Sequence, residues 1–213
     1  IRTGLLGKIK SSLDKEGIDY VELGGVVANP RLSLVYEGIE LAKSEGVDFI
    51  LAVGGGSVID SAKAIAYGAV SDFDVWDLYD RKRTPESALP VGVVLTIAAA
   101  GSEMSNSSVI TNEDGGIKRG YSNNMVRPKF AILNPELTMT LPDFQTACGC
   151  TDIMMHTMER YFTSAENMEL TDGIAEALLR TVIKNALILV EDPKNYEARA
   201  EVMWAGSLSH NGL

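Results

Sequence analysis

Two short stretches of this chain carry residue types and spacings that could do chemistry. The first is Val53-Gly54-Gly55-Gly56-Ser57-Val58-Ile59-Asp60. Phe49 to Val53 is a continuous apolar run, the pattern of a strand buried on both faces. Glycines follow, and Ser57 opens a helical pattern with Val58, Ile59, Ala62, Ile65 and Ala66. A strand that ends in glycines and feeds a helix N-terminus makes an anion site. The first turn leaves N–H groups unpaired, the helix dipole favours negative charge, and glycine lets a phosphate approach the backbone. The competing explanation is a tight strand-to-helix turn with Ser57-x-x-Asp60 as a capping box. The spacing is neither G-x-G-x-x-G nor that of a P-loop, which carries Lys after its last glycine.

The second stretch holds Asp152 and His156, four residues apart. On a helix they sit ~40° apart around the axis, so both side chains point the same way. A carboxylate and an imidazole so placed can share a divalent metal. The competing explanation is an ordinary i,i+4 contact or a histidine satisfied in the core. Position favours the metal, because ligands bind at domain interfaces and outside the carboxyl ends of parallel strands. Two ligands do not complete a site, which needs four, or three plus water or substrate. His210, the one other histidine, is not expected to join them. Cys148 and Cys150 could make a C-x-C set with the pair, but Gly149 and the start of a helix oppose such convergence, so free thiols are expected.

The elements that must position these residues can be read in order. Residues 1–16 have the pattern of an amphipathic helix, with Leu5, Leu6, Ile9 and Leu13 on one side and Gly17 ending it. Ile18 to Leu23 reads as a strand. Asn29-Pro30 reads as an N-cap with proline at the first helical position, and Gly46 ends that helix. Phe49–Val53 and the helix from Ser57 to about Gly68 follow. Strand, helix, strand, helix predicts a parallel sheet with right-handed crossovers. Asp72 to Asp80 reads as a short acidic surface helix and Val91–Leu95 as another buried strand. Thr96 to Glu103 is a loop of small residues. Ser107–Thr111 and Ile117–Tyr121 form a hairpin, and Phe130–Leu133 is one more strand. After Pro142 helical periodicity takes over, from Asp143 to about Phe162, around Leu170–Leu178, and from Asn195 onward. The expected division is an α/β domain over 1–141 and a helical domain over 142–213.

The 213 residues include 46% hydrophobic ones, enough for a substantial core. The formal charge of −10 argues against nucleic acid and anionic membranes as partners. No apolar run is long enough to span a bilayer. The closely spaced cysteines fit a reducing cytoplasm. Ile1 and Leu213 both fall inside helical patterns, so a piece of a longer protein is expected.

Taken together, the two constellations resemble the iron-containing alcohol dehydrogenases. The likeness runs through Asn29-Pro30, Gly54-Gly55-Gly56-Ser57-Val58-Ile59-Asp60-Ser61-Ala62-Lys63, and Thr96 to Glu103 ahead of Val109-Ile110-Thr111. It continues through Asn134-Pro135-x-Leu137-Thr138-x-x-Leu141-Pro142 and Gly149-x-x-Asp152-x-x-x-His156-x-x-Glu159-x-Tyr161. The nearest branch is the butanol dehydrogenase-like one, from Ala52-Val53-Gly54-Gly55-Gly56-Ser57-Val58-Ile59-Asp60 and Trp204-Ala205-Gly206-Ser207-Leu208-Ser209-His210-Asn211-Gly212. The resemblance implies the dehydroquinate synthase-like fold, a Rossmann-like N-terminal domain binding NAD or NADP and an all-helical C-terminal domain binding Fe²⁺ or Zn²⁺. It implies that Gly55, Gly56 and Ser57 hold the pyrophosphate and that Asp60 lies near the nicotinamide end. Thr96, Ala99 and Ser102 would line the dinucleotide, and Lys118 would reach the cofactor ribose. Asp152 and His156 match two metal ligands, with two further histidines and the NAD-versus-NADP-selecting first strand expected outside this sequence. The implied activity is metal-assisted hydride transfer between a small primary alcohol or aldehyde and the nicotinamide, in a homodimer. Ala98-Ala99-Ala100 departs from relatives that carry Gly or Thr there. The rivals are a polyol dehydrogenase or dehydroquinate synthase-like enzyme of the same fold, and a nucleotide-binding fragment without catalysis.

Overall fold

The computed structural model describes residues 4–211. Its centre is a parallel sheet of β1 (Ile50–Gly54), β2 (Val91–Leu95) and β5 (Phe130–Ile132), in the order β1-β2-β5. β1 and β2 are in register from Ile50 opposite Val91 to Gly54 opposite Leu95. β2, the central strand, is buried along its whole length, whereas β1 is only partly buried and β5 is largely exposed. α3 (Gly56–Gly68) leaves the end of β1 and presents Ile59, Ala62, Ile65 and Ala66 to the core. α2 (Leu32–Ser44) packs beside it. β3 (Ser107–Asn112) and β4 (Ile117–Ser122) form the expected antiparallel hairpin, with Ser107 opposite Ser122 and Asn112 opposite Ile117.

From Asp143 onward the structure is helical. α5 (Asp143–Tyr161), α6 (Glu169–Glu191) and α7 (Tyr196–Ser209) pack on one another around Ile153, Leu178, Val182, Leu189 and Val202. Ala98 packs against both this cluster and the cluster around the sheet. Among the described residues no helix is long and apolar enough to cross a membrane.

Three local expectations and one competing explanation are corrected. Ile18 to Leu23 joins no sheet among the described residues, and Ile18, Tyr20, Val21 and Leu23 are exposed. Its apolar residues give it strand character, but a strand needs a neighbour to complete its ladder. α2 begins at Leu32, not after Asn29-Pro30, because that dipeptide is bonded to the hairpin. Pro30 O accepts from Thr111 N at 2.8 Å, and Asn29 is left-handed at φ 57°. The cap comes from afar: Glu113 accepts from Ser33 N at 3.2 Å and from Ser33 Oγ at 2.5 Å. Third, Ser57-x-x-Asp60 is no capping box, because α3 has no side-chain cap and Asp60 bonds elsewhere. Finally, the helix within Asp72–Asp80 is only α4 (Trp76–Tyr79), and Trp76, Leu78 and Tyr79 are buried beneath it. α1 (Leu5–Lys15) buries none of its residues.

Candidate functional site

The glycine turn stands at the carboxyl end of β1. Gly55 is the N-cap of α3, and the helix closes with Ile59 N donating to Gly55 O at 3.1 Å. Gly56 and Ser57 occupy the first turn, where their own N–H groups precede the helical hydrogen-bond ladder, while Val58 N already donates to Gly55 O at 3.0 Å. The three glycines are not equivalent. A Cβ on Gly54 would stand 2.5 Å from Val58 Cγ2, and one on Gly55 would stand 2.4 Å from Ile97 Cγ2. A Cβ on Gly56 would meet nothing within 4 Å. Gly54 and Gly55 therefore answer to packing inside the protein, while the surface over Gly56 is open.

Asp60 and Ser102 come together one turn into α3. Ser102 Oγ donates to Asp60 Oδ1 at 2.6 Å, and Val109 N donates to Oδ2 at 3.0 Å. Burial raises the Asp60 carboxyl above its usual range, opposed by those two bonds and by Lys63. Asp60 thus ties the loop after β2 to the hairpin. Thr96 continues the sheet by donating its N–H to Gly54 O at 3.1 Å. Ala99 is half-buried against Gly206 of α7. Lys118 is exposed on β4, and its Nζ donates to Asn29 Oδ1 at 2.8 Å.

Residues outside the expected set hold this loop in place. Lys63 is fully buried, and its Nζ lies 2.7 Å from Ser102 O, 2.9 Å from Ser105 O and 2.8 Å from Ser107 O. The hydroxyls of Ser102 and Ser105 are each 3.2 Å away. Burial pulls Lys63 down to about 8, while Asp60 and Glu103 act to hold it up. Glu103 is itself buried, which raises its carboxyl. It accepts from Ser207 Oγ of α7 at 2.5 Å, and Gly101 O accepts from Asn211 Nδ2 at 3.0 Å. Lysine in this position does carry a sequence signal: it lies three residues after Asp60 within a buried helix face, where a cation requires partners.

The loop also accounts for two glycines of the helical part. A Cβ on Gly149 of α5 would fall 2.2 Å from Ala98 O, and a Cβ on Gly206 would fall 3.4 Å from Ala99 O. The helices come this close to the backbone of the loop because these two positions carry no side chain.

Gly149 lies three residues before Asp152 on α5. Asp152 Oδ1 and His156 Nε2 are 3.7 Å apart, half-exposed. Two donors each about 2.1 Å from one cation at a tetrahedral angle stand about 3.4 Å apart, so this pair fits a shared divalent ion. His156 Nδ1 is buried without a hydrogen bond, and Glu159 Oε2 lies 3.4 Å from it. A cation held by Nε2 would leave the ring proton on Nδ1, on the side of that carboxylate. No group of three or more His, Cys, Asp or Glu side chains gathers for a metal among the described residues. Cys148 is exposed, Cys150 is buried, and both thiols are free. Burial pushes the Cys150 thiol up.

His210 caps the C-terminus of α7 beside this pair, its ring centroid 4.8 Å from that of His156. Burial and the neighbouring Arg160 bring it down to about 4, so it is neutral near pH 7.

The family described as iron-containing alcohol dehydrogenase matches residues 1–135, and that described as the Fe-containing alcohol dehydrogenase family, C-terminal, matches residues 146–213. The chain is 48% identical over 211 residues to the probable NADH-dependent butanol dehydrogenase 2 of Bacillus subtilis, covering 99% of this chain and 54% of that protein. It is 38% identical to the NADPH-dependent aldehyde reductase YqhD of Escherichia coli, covering 100% of this chain and 55% of the relative. Among solved structures, NADH-dependent butanol dehydrogenase A of Thermotoga maritima superimposes with a TM-score of 0.96 at 44% identity, over 99% of this chain and 53% of that one. The chain thus spans about half the length of the curated relatives it matches.

Proposed function

This chain belongs to the iron-containing alcohol dehydrogenase family, and on that premise we propose that the whole protein interconverts small primary alcohols and aldehydes by hydride transfer with NAD or NADP. The observation that carries the reading is the loop 96–103. It leaves the sheet beside the glycine turn and lies against α5 and α7, the helices that bear Asp152, His156 and His210. On this reading the loop links the turn that would hold the nucleotide to the helix whose Asp152 and His156 would hold the metal.

When bound, a divalent cation (Fe²⁺, or Zn²⁺) supplies Lewis acidity towards an alcohol or carbonyl oxygen, and the nicotinamide supplies or accepts the hydride. The chain's own residues bind and orient. Gly55, Gly56 and Ser57 offer the first-turn N–H groups of α3 to the pyrophosphate. Thr96, Ala99 and Ser102 shape the loop beneath the dinucleotide. Asp60 fixes that loop, each of its oxygens accepting one hydrogen bond, and keeps acceptor capacity towards the nicotinamide end. Lys118 offers an exposed ammonium to the ribose side. Asp152 and His156 hold the cation, with Gly149 setting how closely α5 approaches the loop.

The reading divides the chain near Leu141 into a nucleotide-binding and a metal-binding part, in a cytoplasmic homodimer. The two free thiols suit a reducing compartment, and the solution mass of the full-length protein checks the dimer. The decisive test is metal content together with NAD(P)H-linked butanal reduction by the full-length protein and its Asp152→Ala variant. Metal and turnover present in the parent and lost in the variant support the reading. Turnover by a metal-free parent, or undiminished turnover in the variant, sinks it. Nucleotide binding without metal or turnover would support the non-catalytic rival instead.

A further inference from the structure

The metal reading leaves His210 without a task, yet the fold holds it with care. Arg160 Nη2 lies 2.9 Å from His210 Nδ1, and Arg160 Nη1 donates to His156 O at 2.7 Å. A guanidinium only donates, so His210 Nδ1 must accept and its proton sits on Nε2. One side chain, a turn beyond His156 on α5, thus clamps the end of α7 over that histidine. The imidazole of His210 meets the ring of His156 edge to face, at 63°. Such contacts between flat rings have a preferred geometry and resist rotation.

His156 needs such a support. Histidines that bind a metal are usually oriented by a hydrogen bond on the other ring nitrogen. Here Nδ1 makes none, and Glu159, whose side chain is 70% exposed, stands at 3.4 Å without closing one. His210 cannot serve as the missing ligand, because its Nδ1 lone pair is committed to Arg160 and that fixed positive charge repels a cation. We propose that His210, clamped by Arg160, is a positioning residue that holds the ring of His156 in the orientation a divalent cation requires. The inference rests on reading Asp152 and His156 as the metal pair.

The test uses the full-length protein loaded with Co²⁺ or Zn²⁺ and titrated with a chelator, which reads metal affinity without reference to turnover. Outer supports of a metal ligand typically change affinity about 10–100-fold, and His210→Ala should weaken binding within that range. His210→Phe keeps a ring against His156 and should recover most of the loss. His210→Gln keeps an acceptor for Arg160 but no ring, and should recover little. NADH affinity should stay within about twofold throughout. If the alanine variant fails to fold, Arg160→Met, which leaves His210 in place but unclamped, carries the same test. Metal affinity unchanged in His210→Ala (or in Arg160→Met where that stands in), or equal losses in the Phe and Ala variants, would overturn the proposal. Failure of the metal pair itself looks different: Asp152→Ala would then bind Co²⁺ as tightly as the parent.

Discussion

The glycine turn and the Asp152–His156 pair are built on opposite plans. The turn offers backbone. Of its supports, Lys63 and Glu103 are buried and Asp60 is partly so, and their hydrogen bonds are made inside the protein. The pair offers side chains. Asp152 and His156 stand on the surface of one helix, half-exposed, with one ring nitrogen lacking a hydrogen bond. A backbone site is fixed by the shape around it, so changing a support acts through the fold. A side-chain site can be emptied by one substitution with little effect on the fold.

That contrast is broken most directly at Asp152. In the full-length protein, Asp152→Ala should abolish metal retention and lower aldehyde reduction on the order of a thousandfold, the loss of several kcal/mol of charge stabilisation. Because the side chain is 43% exposed, the melting temperature of the metal-free forms should differ little. A large drop in that temperature would mean that the pair is structural.

Lys63 should behave in the opposite way. Lys63→Met leaves buried oxygens without their donor, a loss of about 1–3 kcal/mol, and should weaken nucleotide binding while leaving chelator-measured metal affinity unchanged. It also carries a pH signature. The folded value of about 8 lies below the ordinary 10.5, so between these values the unfolded chain keeps a proton that the folded chain has released. Lys63 therefore makes stability rise with pH in that window, by at most ~1.4 kcal/mol per unit. Denaturant titrations from pH 7.5 to 10.5 should show a steeper rise in the parent than in Lys63→Met. Parallel curves would show that the ammonium titrates as an exposed lysine does.

A third substitution acts on the boundary between the two regions. Replacing glycine inside a helix by alanine ordinarily stabilises by up to about 1 kcal/mol. At Gly149 the sign should reverse, since the new Cβ would fall 2.2 Å from Ala98 O, a backbone atom that cannot rotate away. Gly149→Ala should cost about 1–3 kcal/mol by overpacking, read by thermal unfolding. A stabilised variant would mean that α5 does not press on the loop.

What the sequence makes legible follows how local each feature is. The turn at Gly54–Ser57 announces itself because strand, glycine and helix signals are adjacent. The Asp152–His156 spacing needs only the helical period. The strands β2, β3 and β4 are bounded by turn residues and fall where the pattern puts them. Legibility ends where partners are distant. Glu113 caps α2 from 80 residues away, and Glu103 meets Ser207 from 104 away. Neither pairing has a period to betray it. Ile18–Leu23 fails differently: its composition is that of a strand, but strand pairing belongs to two segments. The burial of α4 hides behind its acidic neighbours, since Asp74, Asp77 and Asp80 colour a segment whose Trp76 and Tyr79 face inward.

The smallest effect on stability should come from the residue nearest to the proposed phosphate. Gly56 opens α3, and a Cβ there meets no protein atom within 4 Å. Gly56→Ala should therefore leave stability unchanged or raise it by about 0.4–1 kcal/mol through the unfolded chain. The same methyl projects into the space over the first turn, where a pyrophosphate would approach the backbone, and NADH binding should weaken roughly tenfold, ~1.4 kcal/mol. Gly55→Ala should show both effects together, because its Cβ also meets Ile97 Cγ2. Calorimetric NADH titration beside thermal unfolding separates the two glycines. If Gly56→Ala binds NADH as the parent does, the open surface over α3 is not where the phosphates sit, and the turn serves only the packing that Gly54 and Gly55 already explain.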